Sequence, residues 1–152
     1  MRMSFAGAPE IRTTRAAVWR HLLDPHFIAA CLPAVESVDV LEPTRFRIVS
    51  GFGVGFVRLD FTVMVDLYDL VEPDHARLRM HGTAPGTTVD MESQIAIEEA
   101  GAERVRLRWE AVSTVHGTAA AFGRRIMEGA AHRLTARFWE EFARKAEARR
   151  PR

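Results

Sequence analysis

The chain has 152 residues, enough for one domain with a real core, and 21 basic against 20 acidic residues leave a net charge of +1 that gives no basis for nucleic-acid binding. A single cysteine, Cys31, excludes an internal disulfide and suits a reducing compartment. No apolar run approaches the roughly 18 residues of a membrane span, and Glu10 interrupts the N-terminus before a signal sequence can develop, so the protein is read as soluble and cytoplasmic.

Residues 4–12 read as a first strand, weakened by Gly7 and Pro9. Thr13 or Thr14 can cap a helix over residues 15–23 that buries Val18, Trp19, Leu22 and Leu23. Asp24 then caps a second short helix, residues 25–31, with Pro25 in its first turn where no N–H is needed. Pro33 ends it. Beyond Pro33 the periodicity drops to two, which predicts strands over 37–41, 45–50, 56–71, 76–82, 88–98 and 104–116. Within 56–71, Leu59, Phe61, Val63, Val65 and Leu67 share one face, and Asp60, Thr62, Met64, Asp66 and Tyr68 share the other. Residues 81–87 are expected as a loop around Gly82, Pro85 and Gly86. The last two strands form a hairpin across 99–102. In the final strand Arg104, Arg106 and Arg108 alternate with Val105, Leu107 and Trp109, the pattern of a sheet wet on one face only.

Residues 118–152 read as one long amphipathic helix. Phe122, Ile126, Ala130, Leu134, Phe138 and Phe142 recur every fourth position, and the segment holds nine Lys and Arg against four Glu. The order predicts an α+β fold, in which about six or seven antiparallel strands curve around that helix as a single domain over 1–148, leaving 149–152 as a basic tail. One helix covers only the middle of a broad concave sheet. The inward set, Leu59, Phe61, Val63, Leu78, Met80, Met91, Trp109, Phe122, Ile126 and Met127, is wholly apolar, and the same residue types would fill the remaining space or line a ligand cavity.

Catalytic signals are weak. Gly51, Phe52, Gly53, Val54 and Gly55 lack the offsets of a phosphate loop and lead into a strand, so they read as glycines for a turn, bulge or close approach. His21, His26, His75, His81, His116 and His132 form no metal-ligand spacing, and Cys31 reads as a buried structural thiol. His81, His116, Asp90 and Tyr68 are the polar candidates for proton transfer, although strand parity puts Tyr68 and Asp90 outside. No metal or catalytic residue is assigned.

Several runs carry a family resemblance. They are Val18-Trp19, Leu22-Leu23-Asp24-Pro25, the run from Cys31 to Ser37, the glycine run 51–55, and the run from Gly123 to Ala131 followed by Leu134 and Phe138. In order and spacing the chain resembles the CoxG family of carbon monoxide dehydrogenase subunits, within the superfamily of START domains, the birch-pollen allergen and polyketide cyclases. It departs from the family at Ala34, where glycine is usual, and around residues 82–88, which are poorer in glycine. The resemblance implies a helix-grip fold and no catalytic residue. It implies a non-catalytic carrier of a hydrophobic small molecule, a quinone or lipid, accessory to a molybdenum hydroxylase-type enzyme through maturation, membrane recruitment or quinone delivery. Arg144, Lys145, Arg149 and Arg150 are the residues available for weak contact with the inner membrane face. An interaction module with a filled core, and a cyclase or hydrolase of the same fold, are the alternatives.

Overall fold

Pro9 cannot donate to a sheet ladder, and the first strand divides beside it into β1 (Arg2–Gly7) and β2 (Glu10–Ile11), both antiparallel to the last strand. The computed structural model describes residues 1–54 and 57–148, and the side chains of residues 52–54 and 57 also lie outside the description. Thr14 caps α1 (Arg15–Leu22) by accepting from the Ala17 N–H at 3.2 Å. Asp24 caps α2 (Pro25–Ala30), accepting from the amides of His26 and Phe27.

Six further strands follow: β3 (Val35–Glu42), β4 (Arg45–Val54), β5 (Val57–Val71), β6 (His75–Ala84), β7 (Thr87–Gly101) and β8 (Arg104–Gly117). They form one eight-stranded antiparallel sheet in the order β1-β8-β7-β6-β5-β4-β3, with β2 also on β8. The α+β expectation holds, with eight strands because the first is split. Residues 81–87 are not a loop: β6 and β7 run to a tight turn at Pro85 and Gly86, with Ala84 opposite Thr87. The glycine run is mostly strand as well. Gly51 to Val54 pair with residues 57–60, while Gly55 and Phe56 lie outside the described residues.

The closing segment is not one helix. A 3-10 turn (Thr118–Phe122) precedes α3 (Arg124–Ala148), and Gly123 between them sits at φ 89, a conformation that glycine adopts without steric cost. The turn is held to the sheet by the Thr87 hydroxyl, which accepts from the Ala119 amide at 3.1 Å, and by the Thr118 hydroxyl, which donates to the Gly86 carbonyl at 2.9 Å. Residues 149–152 lie outside the described residues.

On the solvent face, register places Arg45, Asp66, Arg79 and Glu92 in a row across four strands, with Arg45–Asp66 and Arg79–Glu92 ion pairs at 3.4 Å. Such exposed pairs each contribute about 0–1 kcal/mol, so they set register and solubility more than stability. Arg15 reaches Asp74 at 2.8 Å and the Ile97 carbonyl at 3.1 Å, tying α1 to the β5–β6 turn and to β7.

Ala34, at the position where a glycine is usual in the resembling family, stands at φ 48 in the left-handed region. Its turn is pinned to β4 by Ser50, whose hydroxyl donates to the Pro33 carbonyl at 2.6 Å, and by the Gly51 amide, which donates to the Ala34 carbonyl. A Cβ in that conformation costs roughly 1–2 kcal/mol, partly offset by the greater flexibility of an unfolded glycine. Ala34→Gly is therefore expected to stabilise the protein by about 0.5–1 kcal/mol, read as a higher urea midpoint at unchanged slope; a lower midpoint would refute the strain.

Candidate ligand-binding cavity

Strand alternation sorts the sheet into two faces. On β5, Phe61, Val63, Val65 and Leu67 are buried while Asp60 and Thr62 are exposed, as parity predicts. Helix α3 meets the buried face at two ends. Near its start Met127 is buried with Met3, Val115 and Ala119. Near its end Phe142 and Ala146 are completely buried among α1, α2 and the β7–β8 core.

The second anchor is an aromatic knot. Phe142 meets Phe27 edge-on at 5.1 Å and Trp139 at 5.3 Å, His21 stacks on Phe27 at 4.0 Å, and Trp139 lies over Trp109 at 6.2 Å. Between the anchors, from Glu128 to Glu141, no residue of α3 is fully buried, including the apolar Leu134, Phe138 and Trp139.

The facing strands show the same state. Leu78 and Met80 on β6, and Val89 and Met91 on β7, share the parity of buried neighbours yet are only half-buried. Both strands are interior to the sheet, flanked on each side, so water cannot reach these side chains from an edge. It reaches them through the space under α3. A close-packed interior would shut that surface away.

The predicted site residues therefore fall into three groups. Phe61, Val63, Trp109 and Met127 are buried and build the walls. Leu59, Leu78, Met80, Met91 and Phe122 are half-buried and belong to the three core clusters only as partly buried partners. Ile126 is 42% exposed, and its neighbour Met127 takes the inward position. The reason is geometric: a strict four-residue repeat on a 3.6-residue helix rotates about 40° per step, so one stripe cannot face inward along the whole helix. Val89, Leu134 and Trp139 lie outside the predicted set. Val89 shares parity with Met91, and Trp139 lies three positions before Phe142, so ordinary strand and helix spacing could have found both.

The polar candidates lie elsewhere. His81 Nδ1 and Asp90 Oδ1 are 2.6 Å apart as a cross-strand pair, both exposed on the solvent face, and Tyr68 on that face carries the Arg79 guanidinium at 5.0 Å. His116 is exposed. Among the described residues no group of three His, Cys, Asp or Glu could hold a metal. Cys31 is buried and its thiol donates to the Phe27 carbonyl at 3.3 Å. Carboxyls held below their usual range sit on the outer surface: Asp74 through its hydrogen bond to His75, Glu98 through Arg108, and Glu141 through Arg144. Of the basic positions near the C-terminus, Arg144 is paired with Glu141 at 2.7 Å and Lys145 is half-buried, while Arg149 and Arg150 lie outside the described residues.

Two recesses open on the surface. One of about 670 Å³ is rimmed by Asp69, His75, Arg77, Arg108 and Glu110. Its charges are largely paired: Arg108 with Glu98, Arg77 with Asp69 and His75 with Asp74. The other, about 210 Å³, lies between β1 and α3 beside Trp109 and Trp139.

Residues 7–147 match the family model of CoxG, a carbon monoxide dehydrogenase subunit. The chain belongs to the CoxG family. Solved structures share its fold. A conserved protein from Geobacillus kaustophilus is 22% identical with TM-score 0.88, covering 95% of each chain. The Zhui aromatase/cyclase from Streptomyces sp. R1128 is 18% identical with TM-score 0.74, covering 98% of this chain and 96% of its own. A START superfamily protein from Mycobacterium smegmatis is 10% identical with TM-score 0.73, covering 95% and 97%. A search of the curated proteins by sequence found no match. The family and the superfamily fold expected from the sequence motifs are those found.

An accessible space under α3 has a stability signature. Enlarging a side chain in a filled core costs about 1–3 kcal/mol, whereas one that grows into open space costs little. Met91→Phe is expected to change unfolding free energy by less than about 0.5 kcal/mol, measured by urea denaturation; a loss of about 1 kcal/mol or more would mean the space is filled.

Proposed function

We propose that this CoxG-family protein is a non-catalytic carrier of a hydrophobic small molecule, a quinone or lipid-like compound. It acts at the cytoplasmic membrane face beside a carbon monoxide dehydrogenase-type molybdenum oxidoreductase. The observation that carries this reading is the water-reachable apolar surface of Leu78, Met80, Val89 and Met91, opposite a stretch of α3 with no fully buried residue. Burying a ring and an alkyl tail there removes apolar area from water on both partners, at about 25 cal/mol per Å².

Family membership supports the accessory role, since the family takes its name from carbon monoxide dehydrogenase. A carrier also needs no acid, base or metal within its cavity. The titratable groups considered for catalysis, His81, Asp90 and Tyr68, face solvent on the opposite side of the sheet. Contact with anionic headgroups is assigned to Arg144, Lys145, Arg149 and Arg150, each contributing about 1 kcal/mol at low salt, which gives reversible association and no insertion.

Quenching of tryptophan fluorescence by a naphthoquinone bearing one isoprenoid unit tests the carrier reading. The protein should show saturable one-to-one quenching, and Met80→Trp, which places a large side chain in the space, should weaken binding by about tenfold or more at unchanged thermal stability. A folded protein that gives no saturable signal would overturn it.

A further inference from the structure

Trp109 carries a donor that nothing in the fold satisfies. The residue is 8% exposed, and its indole Nε1 is shut from water without a hydrogen-bond partner among the described residues. Buried polar atoms are nearly always paired, and an indole N–H can only donate. Its place is set by Gly7 on β1: a Cβ there would stand 2.7 Å from Nε1, so the nitrogen edge of the indole lies directly against the glycine.

Gly7 and Trp109 both line the recess of about 210 Å³ between β1 and α3, whose other walls include Phe5, Trp139, His132 and Thr135. Phe5 meets His132 edge-on at 5.2 Å, and Trp139 lies over Trp109 with 29° between the planes. Flat aromatic walls favour a flat ligand. An apolar cavity of about 150 Å³ holds a benzene ring, so this volume takes one or two fused rings. No carboxylate or basic side chain other than the exposed His132 is among the lining residues, so the matching ligand atom is a neutral acceptor.

We propose that the Trp109 indole N–H is the specificity-determining donor of a ring subsite between β1 and α3, which takes a planar one- or two-ring compound through a neutral ring oxygen. This rests on the carrier reading above and deepens it. The space under α3 receives the apolar remainder of the ligand, and the subsite selects for an oxygenated ring over a hydrocarbon of the same shape.

The test compares naphthoquinone with naphthalene, which has the same ring system without the oxygens, by binding titration and by NMR of the full chain. The three tryptophans, Trp19, Trp109 and Trp139, give three indole N–H signals, and Trp109→Phe identifies the one concerned. Naphthoquinone should move the Trp109 indole proton downfield as it binds, and naphthalene should not. Trp109→Phe should lose roughly five- to tenfold in naphthoquinone affinity, the size of one net hydrogen bond, and keep its affinity for naphthalene. Naphthoquinone binding with no downfield shift of that proton, or with affinity retained in Trp109→Phe, would overturn the donor role and leave the carrier reading standing. Failure of either probe to bind the folded wild-type protein would overturn both. The NMR measurement on the wild type holds even if the variant folds poorly.

Discussion

Helix α3 is fixed to the sheet at two places, and the space between them follows from that. Met127 is packed at one end, and Phe142 with Ala146 at the other, four turns further on. The Phe142 anchor is the stronger, because the rings of Phe27, His21 and Trp139 close around it and bind the short helices to the long one. Losing that ring to alanine in a well-packed site typically costs about 3–5 kcal/mol, a large share of a domain's stability. Between the anchors the sheet curves away from the helix, so the middle strands and the middle of α3 present apolar surface to a gap that water enters.

The sheet separates its chemistry by face. Outside, charges pair across strands, from Arg45–Asp66 through Arg79–Glu92 to Arg108–Glu98, and the displaced carboxyl titrations belong to such exposed pairs. Inside, the buried hydroxyls are engaged in structure: Ser50 holds the Pro33 turn, Ser93 donates to the Glu110 carbonyl, and Thr87 holds the 3-10 turn. Apolar walls with few free polar groups favour binding by shape and area. In that setting a single unsatisfied donor such as the Trp109 indole carries more discrimination than it would among many.

Much of the fold is legible in the sequence because period-two and helical patterns in this chain are clean. The faces of β5, the caps at Thr14 and Asp24, and the Arg104 to Trp109 alternation all stand as expected. Two departures share a cause, since in both composition is a poor guide to conformation. Glycines at Gly51, Gly53 and Gly82 suggest turns, yet all three lie within strands. The expectation of a single closing helix passes over the break that Gly123 makes. The apolar identity of the site is legible too, but not which side chains are walled in and which face the gap. That depends on how far α3 stands from the sheet between its anchors, a distance set by the knot at Phe142 and the packing at Met127, which no local period encodes. Ile126 shows the limit on a single residue: its hydrophobicity points inward, and the rotation of the helix turns it out.

The most direct measurement of the central claim, an apolar space between α3 and the middle of the sheet, is a crystal structure determined under xenon pressure. Xenon enters apolar cavities and is located without ambiguity by its scattering. The account predicts xenon between α3 and β6–β7, in contact with Leu78, Met80 and Met91. A structure with no xenon there, and with those side chains closed onto Leu134 and Phe138, would contradict it.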